Sequence, residues 1–285
     1  MDKVIGLGKT GCAIAEEFTT YPEYRVYKIA SEIEERGSLS LGVHEDMEQY
    51  EKQVDQDEVA IYLRSIKASD EVLFIVEGAD PIVGSALRVL ETIKDAKISI
   101  LYICPDRQMS SNTQRRDDRI SFNVLQEYAR SGAIERIFLL DKPTVERLVG
   151  DVPIEQYEKS LSYFISYTIA MVNYFNHTDS ILEQTISPAN ISRLTTVGVS
   201  SLEDGSRDAI LLFPLEDITD LHFFYGIPEI DLAEDSSLIG RIKSHAKSHK
   251  TEGVSTSFSV HKTTLDKTIV LCVAYSNKIQ NFVTQ

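Results

Sequence analysis

The sequence predicts an α/β protein in which a Rossmann-like, mostly parallel sheet is joined by a long central helix to a smaller α+β domain. Short apolar strands alternate with helical segments up to about residue 150, which is typical of a parallel sheet with right-handed crossovers. Ile154–Phe175 carries apolar and aromatic residues in a single helical stripe. Beyond Thr195 the pattern changes to a more antiparallel α+β unit. We therefore predict two domains, 1–176 and 177–285.

Composition and charge limit the possible partners. A chain of 285 residues can bury a large core, and its net charge of −15 would be repelled by DNA, RNA and anionic membranes. Cys12, Cys104 and Cys272 are far apart and lack metal-binding spacing, as expected in a reducing cytoplasm. We find no signal peptide and no apolar run of transmembrane length. We expect a cytoplasmic protein with no nucleic-acid partner, no membrane partner and no bound metal cluster.

A glycine-rich turn near the first residue is the clearest motif. A short strand containing Val4 and Ile5 runs into G-x-G-x-x-G, and the apolar helical segment Ala13–Phe18 follows. Glycines allow a sharp turn and a close approach of backbone amides to a phosphate, and a helix N-terminus adds N–H donors. The motif predicts a nucleotide phosphate site, or alternatively a purely structural turn. The residues assigned to it are Gly6, Gly8, Lys9, Thr10, Gly11 and Cys12.

The remaining elements of the first domain follow from apolar periodicity. We predict strands at Tyr24–Ala30, Val72–Val76, Ile98–Cys104 and Ile134–Leu140, and helices at Val59–Ala68, Asn112–Ser131 and Thr144–Val149. Ser31–Asp57 is polar and acidic and is predicted to be irregular. A second glycine-bearing loop, Glu77–Ala86, leaves the strand Val72–Val76 and leads into a helix that ends near Ala96.

The second domain is predicted from shorter signals. Ala209–Phe213, Val254–Val260 and Thr268–Ala274 are expected to be strands, Ile218–Ile227 is mixed, and Leu238–Lys250 is a basic helix. The basic run 241–250 is typical of a solvated helix face, or alternatively of a contact with an acidic neighbouring subunit. His245 and His249 are spaced i, i+4, but no third ligand supports a metal site.

Two glycine loops, a long helix and a small second domain, in this order, resemble the tubulin/FtsZ superfamily over nearly the whole chain. The first loop matches the family's first phosphate loop. The second lies where the family carries GGGTGTG[ST], and the resemblance assigns Gly78, Ala79, Gly84 and Ser85 to nucleotide binding. The central glycines are lost and Pro81 is gained, which removes amides that would face a phosphate.

The resemblance also implies roles for single side chains. Arg115 lies where the family presents an Arg to the terminal phosphate, and Asp141 lies near the position that recognises guanine. Tyr157 corresponds to the aromatic residue that stacks on the base, with Ser162 near a polar partner position. The alternatives are a solvated Arg, a helix-capping Asp and a core Tyr.

The family's catalytic loop, N-x-D-x-x-D, inserts into the neighbouring subunit's pocket. Here Ser187 and Asn190 stand where the two acids would be, and neither can act as a base at neutral pH. Asp179 and Glu183 lie just upstream. The resemblance therefore implies slow or absent GTP hydrolysis and provides no confident catalytic residue.

The predicted function is that of a divergent, tail-less cytoskeletal protein, similar to phage-encoded branches of the family. It is expected to bind GTP or GDP weakly or structurally, with or without Mg²⁺, and to form head-to-tail homo-oligomers. One alternative is a degenerate structural or adaptor protein with no cofactor. Another is a Rossmann-type NAD(P)-dependent oxidoreductase, in which Glu32 after the second strand would contact a ribose.

Overall fold

The computed structural model describes residues 1–184, 191–202 and 209–281, and it divides into two compact units, Met1–Tyr167 and Thr168–Gln285. This division falls inside the long helix predicted to connect the domains. The predicted boundary between residues 176 and 177 stays a prediction.

The first unit contains a parallel sheet with the strand order β3-β2-β1-β4-β5-β6. Its strands are β1 (Lys3–Leu7), β2 (Arg25–Ala30), β3 (Leu39–Ser40), β4 (Glu71–Glu77), β5 (Lys97–Cys104) and β6 (Arg136–Asp141). In the register, Glu77 lies opposite Ile103, and Cys104 lies opposite Asp141. The carboxyl ends of the central strands therefore meet at one edge of the sheet, as the alternating sequence pattern predicts.

Helices connect these strands. They are α1 (Gly8–Glu17), α2 (Met47–Gln53), α3 (Gln56–Leu63), α4 (Ala86–Glu91), α5 (Asn112–Ser131) and α6 (Lys142–Val149), and α7 (Tyr157–Asn176) contains the boundary between the units. α5 has the predicted bounds. A capping box formed by Ser111 and Gln114 begins it, and Gly132, in the left-handed conformation with φ 87°, ends it.

Several predictions need correction. The helix predicted at Val59–Ala68 spans Gln56–Leu63, and the helix predicted to end near Ala96 ends at Glu91. The stretch Ser31–Asp57 is not irregular, because it contains β3 and α2, and the Asp46 side chain caps α2. The predicted helix Ile154–Phe175 begins with a 3-10 turn at Ile154–Gln156, immediately after Pro153, and becomes α-helical only at Tyr157.

The second unit has the strand order β8-β12-β10-β11-β7, with β9 paired to β8. Its strands are β7 (Leu182–Gln184), β8 (Leu194–Ser200), β9 (Ile210–Leu211), β10 (Ile218–Pro228), β11 (Ser255–Thr263) and β12 (Ile269–Ser276), and its helices are α8 (Glu229–Glu234) and α9 (Leu238–Ser248). Only the β10–β11 pair is parallel among these pairings of described strands. The predicted change to a more antiparallel sheet agrees with this arrangement.

The carboxyl-terminal part of α7 packs on the second unit's sheet. Phe175 stacks on Phe224 with ring centroids 5.8 Å apart, and it approaches Gly226 so closely that an added Cβ would lie 2.6 Å from its ring. A glycine near the carboxyl end of β10 is therefore explained by ring packing. Among the described residues, every helix is too short or too polar to cross a lipid bilayer.

Candidate functional site

A cleft at the carboxyl edge of the parallel sheet is the candidate site. It is open to solvent and lies among the amino-terminal halves of α1, α6 and α7. Its lining residues are Lys9, Thr10, Ala13, Ile14, Ile103, Lys142, Val145, Tyr157, Glu158, Leu161, Ser162 and Ile165. The walls are mostly apolar, with a few polar groups at the glycine turn, which is typical of small-molecule sites.

The three glycines of the first loop make the turn beside this cleft. Gly8 has φ +76°, a conformation that side chains disfavour. A Cβ on Gly6 would overlap the Gly11 carbonyl, and a Cβ on Gly11 would lie 2.5 Å from the Ile75 carbonyl oxygen. Gly6 and Gly11 therefore allow α1 to pack against the strands, and Gly8 allows the reversal. Cys12, behind the loop, is buried, and burial raises the pKa of its thiol to about 11.

Acidic side chains bind the polar side chains of this loop. The Lys9 ammonium lies 2.8 Å from Glu158, and both side chains are largely exposed. Thr10 Oγ1 donates a hydrogen bond to Glu77, whose other carboxylate oxygen lies 3.6 Å from the Lys142 ammonium. In the loop that the sequence predicts to bind phosphate, the Lys9 ammonium and the Thr10 hydroxyl are thus already paired with carboxylates.

Asp80 brings a further carboxylate to the N-terminus of α1. Its Oδ1 accepts a hydrogen bond from the Ile82 amide at 3.1 Å and caps a 3-10 turn at Pro81–Ser85. The Lys9 backbone amide lies near this carboxylate. Burial raises the pKa of Asp80, the Ile82 hydrogen bond and the nearby Lys9 amide oppose that effect, and the nearby Glu77 charge adds to it.

The second-loop residues pack against the protein's own interior. A Cβ on Gly78 would overlap the Tyr102 hydroxyl and the Asp118 carboxylate, and one on Gly84 would overlap the Met47 carbonyl. Ser85 is fully buried and donates to the Ile82 carbonyl at 2.7 Å. Ala79 is also buried. Packing alone accounts for these small residues.

The three side chains assigned by resemblance have different surroundings. Tyr157 lines the cleft and donates a hydrogen bond to Glu146, and burial followed by that carboxylate raises its pKa to about 12. Asp141 caps α6, because its Oδ2 accepts from the Thr144 amide at 3.1 Å and hydroxyl at 2.7 Å. Arg115 donates to the Ser110 carbonyl at 3.0 Å and is exposed. Of the residues that the sequence analysis named, the cleft is therefore lined by Lys9, Thr10, Tyr157 and Ser162.

Comparison with solved structures decides the fold. The chain superimposes on CetZ2 from Haloferax volcanii, in a GTPγS-bound protofilament, with a TM-score of 0.71, 13% identity and coverage of 96% of this chain and 92% of that one. An empty FtsZ dimer from M. jannaschii has a TM-score of 0.69 at 13% identity, covering 97% of this chain and 88% of that one. A GTPγS-form TubZ protofilament from Bacillus thuringiensis serovar israelensis has a TM-score of 0.70 at 14% identity, with 97% and 87% covered.

This chain has the tubulin/FtsZ fold. The predicted fold class is confirmed. No protein-family model matches the sequence, and no curated protein matches it either. The chain therefore shares the fold of these proteins although few of its residues are identical to theirs.

Within the tubulin/FtsZ fold, the catalytic-loop prediction falls on Ser187 and Asn190, which lie outside the described residues. Glu183, just upstream, accepts a hydrogen bond from the Ser180 hydroxyl at 2.9 Å. In the described part of the chain, no three His, Cys, Asp or Glu side chains come together in a way that could hold a metal ion. Both ring nitrogens of His245 contact hydroxyls, of Ser200 at 2.9 Å and Tyr225 at 2.8 Å.

Sequence reasoning missed four charged residues around the cleft. These are Glu77, Asp80, Lys142 and Glu158. Glu77 and Lys142 were detectable in principle, because each is a charged residue at or just after the end of a buried parallel strand, where ligands of such sheets bind. The position of Asp80 against α1 depends on the tertiary structure, and no local pattern indicates it.

Proposed function

We propose that this chain is a divergent cytoskeletal protein of the tubulin/FtsZ type. It binds the nucleoside part of a guanine nucleotide weakly in the cleft, assembles head to tail in the cytoplasm, and hydrolyses GTP slowly or not at all. The observation that carries the proposal is the cleft beside the first glycine turn, lined by Tyr157.

The shape and lining of the cleft support a planar, largely uncharged ligand. Ile103, Val145 and Leu161 provide apolar walls, and Tyr157 provides an aromatic ring. Ser162 adds a polar group on the same helix turn as Leu161. These residues suit a purine ring, which needs apolar surface and a few hydrogen bonds.

The phosphates fit this site less well than the base. Glu77 accepts the Thr10 hydroxyl, and the Asp80 carboxylate lies beside Gly8, so negative charge is already present at the glycine turn. A guanine nucleotide would therefore be bound mainly through its nucleoside. Ser187 and Asn190 in place of the catalytic acids support slow or absent hydrolysis.

Head-to-tail assembly is supported by exposed apolar side chains near the cleft edge. Met109, between β5 and α5, is 84% exposed, and Ile154, just before α7, is 90% exposed. A heterologous contact at this edge would bury both side chains and repeat into a filament. The CetZ2 and TubZ neighbours are themselves protofilaments, which is compatible with this mode of association.

Ligand-dependent thermal stability tests the binding proposal. Guanosine, GDP, GTP, ATP and NADH are added in turn, and a ligand at about 100 times its Kd should stabilise the fold by roughly 2.7 kcal/mol. We expect stabilisation by guanosine, loss of it in Tyr157→Ala, and retention in Tyr163→Ala, an exposed tyrosine of the same helix. Stabilisation by none of the ligands would favour the adaptor alternative, and stabilisation by NADH alone would favour the oxidoreductase.

Sedimentation velocity tests the assembly proposal. We expect the protein to form species larger than a monomer as its concentration rises. Ile154→Glu should return it to a monomer, because a charge would be buried in the contact. Ile120→Glu, in the middle of α5, is the control and should assemble normally. A wild-type protein that stays monomeric at every concentration would refute head-to-tail assembly.

A further inference from the structure

The carboxylate of Asp80 lies where an anionic ligand of the first glycine turn would lie. A Cβ built on Gly8, the first residue of α1, would be 2.6 Å from Asp80 Oδ2. Asp80 Oδ1 accepts a hydrogen bond from the Ile82 amide, and the Lys9 amide lies near enough to this carboxylate to lower its pKa. Asp80 is therefore in direct contact with the first turn of α1.

The first turn of α1 needs an acceptor that its own cap does not provide. The residue before the helix is Leu7, which makes no side-chain capping hydrogen bond. The first N–H groups of a helix have no partner within the helix, and they carry a partial positive charge that favours an anion. Asp80, in the second loop, places a negative charge beside this turn.

A second carboxylate strengthens this effect. Glu77 accepts the Thr10 hydroxyl, and Thr10 lies in the same first turn of α1. A phosphate brought to this turn would have to displace Asp80 and would also face Glu77. Like charges within a few ångströms repel each other strongly in a partly buried site.

We propose that Asp80 is a built-in anion at the phosphate subsite, so that the cleft selects unphosphorylated nucleosides over nucleoside diphosphates and triphosphates. The ligand class rests on the proposed function, and the occupation of the α1 N-terminus by Asp80 does not. Asp80 is then the residue that determines specificity against phosphate.

The test measures affinities by isothermal titration calorimetry for guanosine, GMP, GDP, GTP and inorganic pyrophosphate. In the wild type, affinity should fall from guanosine to GTP as negative charge increases. Asp80→Asn keeps an oxygen acceptor for the Ile82 amide and removes the charge. It should raise the affinity for GDP and pyrophosphate about tenfold or more, and leave that for guanosine unchanged.

Asp95→Asn is the matched control, since it makes the same change in net charge at an exposed residue just before β5, at the opposite edge of the sheet. It should change none of these affinities. If Asp80→Asn unfolds, Asp80→Ser provides a second uncharged capping residue for the same measurement.

The outcomes separate the two proposals. Tighter wild-type binding of GTP than of guanosine would overturn this inference, as would unchanged pyrophosphate affinity in the folded Asp80 variants. If guanosine binds to no variant while pyrophosphate binds only after the Asp80 charge is removed, the proposed nucleoside site fails but Asp80 is confirmed as the resident anion.

Discussion

Replacing Gly78 with Ala should destabilise the first unit even with no ligand present. The new methyl group would overlap the Tyr102 hydroxyl and the Asp118 carboxylate. Both side chains are fully buried. The Tyr102 hydroxyl donates to Asp118 Oδ1 at 2.8 Å and lies 2.8 Å from the Ser121 hydroxyl, so it cannot move without losing hydrogen bonds.

The magnitude follows from two effects. Overpacking a well-filled interior by one methyl group costs about 1–3 kcal/mol. Leaving a buried polar group without its partner costs a further 1–3 kcal/mol or so. We expect a loss of about 3–5 kcal/mol for Gly78→Ala, which corresponds to a fall in Tm of about 10 °C for a chain of this size.

A double-mutant cycle with Tyr102→Phe isolates the cause. Urea unfolding is followed by circular dichroism for the wild type, Gly78→Ala, Tyr102→Phe and the double variant. Removing the hydroxyl makes part of the space that the methyl needs, so the double variant should be more stable than the sum of the single effects predicts, by about 1 kcal/mol or more. Additive effects would refute the steric argument. A Gly78→Ala protein of normal stability that no longer binds guanosine would show instead that this glycine serves the ligand.

Three further predictions concern charge, pH and backbone strain. Arg107→Met should cost about 3–5 kcal/mol in urea unfolding, because it leaves the buried Asp118 carboxylate without the guanidinium that lies 2.7 Å away, and adding Asp118→Asn should recover part of the loss. Burial and a neighbouring histidine lower the pKa of His222 from 6.5 to about 4, so the unfolded chain takes up its proton first. Stability should therefore fall between about pH 6.5 and pH 4 by up to about 3 kcal/mol, and His222→Asn should reduce this slope. Gly8→Ala should cost more than Gly37→Ala, since both have positive φ (76° and 91°) but only Gly8 has neighbours within 4 Å, and equal losses would contradict the contact with the second loop.

The parallel sheet was predictable because its strands are buried on both faces. β4 and β5 are mostly apolar runs, and each has a parallel strand on both sides. α5 was predictable to the residue because its capping box and its terminal glycine are local signals. Where a local signal and the apolar period agree, the sequence predicts both the element and its ends.

Other elements were missed because the tertiary structure stabilises them. α2 is seven residues long and buries only Tyr50, so its apolar period is too short to detect. The pattern of β10 was hard to interpret because its second half, from Phe223 to Pro228, is buried on both faces, with a parallel neighbour on one side and an antiparallel neighbour on the other. No alternation can show in a strand without a solvent face.

The candidate site shows a different limit, since one residue type serves two purposes. Gly8 makes the turn at the cleft, whereas Gly78 and Gly84 allow side chains and backbone of their own unit to approach closely. In the sequence both roles appear simply as a glycine in a loop between a strand and a helix. A glycine motif therefore predicts close approach, and only the structure identifies what approaches.

The Asp80-Pro81 pair explains why the second loop departs from the family pattern in more than one way. Proline at the first position of the 3-10 turn removes an amide, and aspartate before it caps the turn through Ile82. The same turn directs the Asp80 carboxylate onto α1. A single local change thus removes a donor for phosphate and supplies an internal anion in its place. For this reason a restored glycine at position 81 alone should not restore phosphate binding while the charge of Asp80 remains.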